Sequence, residues 1–181
     1  MTWPDEPIEV SSPVCYAHEF DDHVRPPRLE AAELAAFLNT LLESERAGAR
    51  VLARWSHEAG PDAGLDAATL TAVRDDEARF CAGLTDHLKR LGAEPSHAAG
   101  RFYDKAMTLS AWPERLRFLD NGQSWVAREI RDKLPRIDDT QLASFLRDML
   151  ERHEHNLKLC APSPLPHAGE EGAHARQRMG R

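Results

Sequence analysis

The stretch Glu30–His57, EAAELAAFLNTLLESERAGARVLARWSH, decides the fold. Leu34, Phe37, Leu38, Leu41, Gly48, Leu52 and Trp55 recur in it at steps of three and four, the spacing that stacks side chains along one face of an α-helix. The stripe passes through position 45, where a glutamate stands. A long amphipathic helix of this kind has to lay its apolar face against partners, so the neighbouring sequence should supply them.

It does so three times. From about Asp66 to Leu91 the stripe is Leu70, Val73, Phe80, Cys81, Leu84, Leu88 and Leu91; Gly60-Pro-Asp separates it from the first, and Gly92 follows as a C-cap. A third helix is predicted from about Pro113, a favoured first-turn residue, through Leu116, Leu119, Val126 and Ile130 to Leu134, where Pro135 stops it. The fourth begins after Asp138 or Asp139, either a good N-cap, and runs through Leu142, Phe145, Leu146, Met149, Leu150 and Leu157 to Cys160. The link between the second and third, Glu94 to Trp112, is too long for a tight turn and should hold a short extra helix or a crossover. Four long helices in this order predict an all-α, antiparallel four-helix bundle.

Composition sets the outer bounds. The chain has 181 residues, 41% hydrophobic and 29% charged, which suits one globular domain. Residues 1–29 are Pro-rich and without helical period, an extended N-terminal arm; 30–160 form the bundle; 161–181, rich in Pro, Gly, His and charge, read as a disordered tail. A mean hydropathy of -0.55 and the lack of any apolar run near the ~18 residues of a spanning helix argue against the membrane. A net charge of -7 argues against nucleic acid. Cys15, Cys81 and Cys160 are odd in number and form no paired motif, and the start is acidic rather than signal-like, so the expected location is the cytoplasm.

The informative residues are the polar ones on the apolar stripes. Glu45 lies four after Leu41, Glu77 four after Val73, Gln123 four after Leu119 and His153 four after Met149. Each helix therefore turns one ligand-capable group inward near its middle. A carboxylate removed from water needs a cation, a proton or hydrogen bonds to compensate it. One reading is a divalent metal, iron, manganese or zinc, held by Glu45, Glu77 and His153 with Gln123 as a weak oxygen ligand. The other is a metal-free polar network in which the carboxylates pair with Arg46, Arg50, Arg79, Arg128 or His153.

In helix order, helix lengths and the level of these inward residues, the segment from Glu30 to Cys160 resembles the ferritin-like superfamily, the rubrerythrin and carboxylate-bridged di-iron group. That resemblance implies a ferritin-like bundle with a long connection between helices two and three, a metal-bearing core and oxidoreductase or stress-related chemistry. The family sets a Glu on each of two helices and a Glu-x-x-His on each of the other two. Here Glu45, Glu77 and His153 match that pattern, while Phe80 stands where the second-helix His would be, Gln123 in the third-helix Glu position, and Leu150 three before His153.

Other candidates are weaker. Cys15-x-x-His18-Glu19 places ligand types in the arm, where His18 could be delivered toward Glu45, although the bland reading is an arm lying across the bundle. Cys81, one turn after Glu77, is a further thiol ligand or a packed apolar residue. Two functional readings stand: a metal-binding ferritin-like protein, and a non-catalytic interaction or dimerisation module, with a homodimer through bundle faces, whose buried Glu, Gln and His hold no metal. A third has the bundle hold a small organic ligand.

Overall fold

The computed structural model of the protein describes residues 26–99 and 101–160, with the side chain of Cys160 excepted. The arm around Cys15 and His18 and the tail from 161 onward lie outside the described residues.

Five helices follow: α1 Ala31–Glu58, α2 Ala67–Arg90, α3 Phe102–Met107, α4 Trp112–Lys133 and α5 Thr140–Cys160. No strand occurs among the described residues, which are all-α. Local chemistry sets the ends. Asp66 caps α2 by accepting from the Thr69 N–H at 2.7 Å. Gly92, with φ of 72°, closes α2: its N–H reaches Lys89 O and that of Ala93 reaches Leu88 O, a left-handed cap that suits glycine. Pro135 ends α4 in a single 3-10 turn, Leu134–Arg136. Asp139 Oδ1 accepts from Gln141 N and Leu142 N to start α5.

α1 packs against α2 and α4, and α5 against α4 and α2. The apolar interior falls into two clusters. One gathers Phe37, Leu38, Leu41 and Leu42 with Phe80, Leu84, Ile130, Leu146 and Met149. The other gathers Val51, Leu52 and Trp55 with Leu70, Val73, Ala106 and Leu119. α1 thus runs from the first cluster to the second, while α2 and α4 both run from the second to the first. Two successive helices with the same sense need a return connection. Residues 91–99 and 101–111 belong to it, the first part lying along α1: Asn39 bonds Glu94 O and Ser96 N, Ser96 Oγ donates to Glu43, and Arg46 donates to Ala98 O. The link ends in α3, whose Ala106 enters the second cluster. No helix among the described residues is long and apolar enough to cross a membrane.

Candidate functional site

Between the two apolar clusters lies a polar layer. Glu45 and Glu77 are each 2% exposed, Gln123 4% and His153 0%. All four sequence-predicted residues are therefore inward, and the structure brings them together. His153 Nδ1 donates to Gln123 Oε1 at 2.5 Å, and Gln123 Nε2 donates to Glu77 Oε1 at 2.6 Å. On its other side His153 Nε2 stands 3.2 Å from Glu45 Oε1. The two atoms are neighbours at that distance, but the direction does not make a hydrogen bond. The layer is thus a chain, Glu45, His153, Gln123, Glu77, with one member from each long helix.

Space for the chain comes from Gly48. It faces Glu77, and a Cβ there would collide with the Glu77 carboxylate. Burial first, and then the charge of Glu45, push the Glu77 carboxyl well above the ordinary carboxylate range, against the pull of the Gln123 hydrogen bond. The folded chain therefore holds the Glu77 proton more tightly than an ordinary carboxyl holds its own. Two carboxylate atoms in the layer, Glu45 Oε2 and Glu77 Oε2, are fully buried and have no hydrogen-bond partner.

Two of the arginines that sequence alone offered as partners, Arg46 and Arg79, go elsewhere. Arg46 serves the α2–α3 link, and Arg79 pairs with Asp148 and Asp76. Cys81 packs half-buried at the edge of the first cluster; burial, with help from Glu45, pushes its thiol up to about 12, so it stays a thiol and an inert one. His18 lies outside the described residues. Asn156, 1% exposed and one turn beyond His153 on α5, is a buried polar residue that the stripe did not reveal, because Leu157 already continued it.

A pocket of about 250 Å³ opens on the layer. Glu45, Glu77 and Gln123 form its polar end, and Phe102, Phe118, Leu119, Trp125 and Val126 form much of its wall. Phe102 of α3 stacks on Phe118 of α4, ring centroids 4.5 Å apart. It also lies over Gly122, where a Cβ would come within 2.9 Å of the ring. The short helix in the long link is what completes this wall.

Residues 32–162 match a family described as "Domain of unknown function (DUF6306)". The chain belongs to that family. No curated protein and no solved structure matches it. The matched span of this DUF6306 chain takes in every residue of the polar layer and of the pocket, so the site belongs to the family's own domain.

Whether the layer fits the metal that the ferritin-like resemblance implies is decided by its donors. A divalent ion draws nitrogen and oxygen donors to about 2.0–2.3 Å from one point. Here His153 spends Nδ1 on Gln123, and Gln123 turns an N–H, which has no lone pair to give, toward Glu77. Among the described residues no group of three or more His, Cys, Asp and Glu side chains gathers as a metal set. As arranged, Gln123 bridges His153 and Glu77 by hydrogen bonds and does not offer its oxygen as a metal ligand.

Proposed function

We propose that the protein is a ferritin-like four-helix bundle that has exchanged a metal centre for a polar layer, and that it works as a binding protein for a small organic molecule. The observation that carries this reading is the junction of pocket and layer: an apolar, aromatic-walled cavity of about 250 Å³ ends on two buried carboxylates. Ligand sites have this make-up, a mostly apolar wall with a few convergent polar groups. The bundle reading is supported by the helix order, by the shared sense of α2 and α4, and by the return link along α1.

The test is protein-observed NMR with benzene-sized fragments, on the wild type and on Ser44→Phe, which would fill the pocket from a half-buried lining position of α1. Expected are shifts centred on Phe102, Phe118 and Trp125 that disappear in Ser44→Phe. Shifts that persist in the filled variant would place binding elsewhere and defeat the reading.

One observation favours a second reading, a single iron, manganese or zinc ion. Glu45 Oε2, Glu77 Oε2 and His153 Nε2 are three buried donors without hydrogen-bond partners in one layer. Stoichiometric metal in the purified protein, lost in Glu45→Ala, would replace the first reading with this one. The dimerisation module gains less, since Leu91 and Leu159 are the large apolar side chains exposed among the described residues, and they do not make a broad face.

A further inference from the structure

Resting on that pocket reading, we infer that the ligand is a small organic cation: a primary or secondary ammonium on a compact, flat apolar body. The argument starts from the valences left open at the polar end. Gln123 offers nothing further, for its oxygen is taken by His153 and its nitrogen is given to Glu77. What remains are Glu45 Oε2 and Glu77 Oε2, on side chains each 2% exposed, and both residues line the pocket. As carboxylate oxygens both accept, so a group that donates hydrogen bonds is the one that completes them. An anion would be repelled by the carboxylates, and a hydroxyl brings one donor and no charge. An ammonium brings two or three donors with a positive charge, and charge-assisted bonds to carboxylates are about twice as strong as neutral ones.

Three nearby arginines direct their charge elsewhere. Arg46 is turned to Ala98 O, Arg79 to Asp148 and Asp76, and Arg152 to Asp76. Glu45 Oε2 and Glu77 Oε2 thus stand at the pocket's polar end with no side-chain donor of the protein turned to them.

The rest of the pocket sets the body of the ligand. A dry apolar cavity of about 150 Å³ is enough for benzene. At about 250 Å³ this one admits a ring with a short side arm. Its wall of Phe102, Phe118 and Trp125 suits a flat ring, and aromatic faces add attraction for a cation beside them. A bare metal ion has no use for such a wall.

The test is a titration of the full chain, by calorimetry or NMR, with three probes of one shape: phenethylamine, the neutral 2-phenylethanol and the anionic phenylacetate. The expected result is an amine bound about tenfold or more tightly than the alcohol, and no binding of phenylacetate. Glu45→Gln and Glu77→Gln, near-isosteric changes whose fold is checked by circular dichroism, should each erase the amine's advantage over the alcohol. Equal binding of amine and alcohol to the wild type, or an advantage that survives both Gln variants, would overturn the cation inference and leave the pocket reading intact. Failure of all three probes to bind the wild type, with no shift at the pocket, would overturn both. Stoichiometric uptake of Mn²⁺ or Zn²⁺ that displaces the amine would overturn it in favour of the metal.

Discussion

Glu77 is the residue on which the layer turns. Its carboxyl holds a proton more tightly in the folded chain than an ordinary carboxyl does in the unfolded one. Between the ordinary carboxylate range and that raised value the folded state binds more protons, so its contribution to stability is full at low pH and is lost as pH rises through this window. Glu77→Gln keeps an oxygen for the Gln123 donor and removes the titration. Thermal melts from about pH 5 to about pH 9 should show the wild type losing ground to Glu77→Gln as pH rises, and parallel curves would contradict the assignment. The inward place of Glu45, Glu77, Gln123 and His153 was legible in the sequence, because each interrupts an otherwise apolar stripe at its own spacing. What compensates them was not legible. Spacing says that side chains share a face; it does not say that an amide from α4 will stand between an imidazole from α5 and a carboxyl from α2.

At the scale of the element, α3 is a six-residue helix that would not hold alone in water and is held by its packing. Phe102 lies over Gly122 and stacks on Phe118, so a methyl group at position 122 reaches the ring directly. Gly122→Ala gains about 1 kcal/mol of helix propensity in α4 and loses a similar amount by crowding the ring. The expected outcome is a urea midpoint close to that of the wild type, with faster hydrogen exchange in residues 102–107; unchanged exchange there would mean that Phe102 does not anchor α3. The four long helices were readable to within a residue or two, from stripe, Asp66, Asp139, Gly92 and Pro135. The short helix was readable only as something needed in a long link, since six residues carry too little pattern to show a period. Its part in the pocket wall depends on which neighbour it meets, and no local signal records that.

For the whole molecule, the polar layer divides what would otherwise be one apolar core into two clusters. Buried polar and charged groups of this kind are seldom retained for stability. Glu45→Leu, Glu77→Met, Gln123→Leu and His153→Leu combined should raise the unfolding free energy by about 1–4 kcal/mol while abolishing amine binding. A combined variant less stable than the wild type would show the layer to be structural. The all-α character followed from four stripes, whereas the sense of α1, α2 and α4 became certain only when their residues could be assigned to one cluster or the other. The central claim is that this layer compensates its own buried charge without a metal, and the most direct test is the metal content per chain of natively purified protein after growth with added iron, manganese and zinc. The account predicts far less than one ion per chain, and no change in Glu45→Ala; one ion per chain that disappears in Glu45→Ala would contradict it.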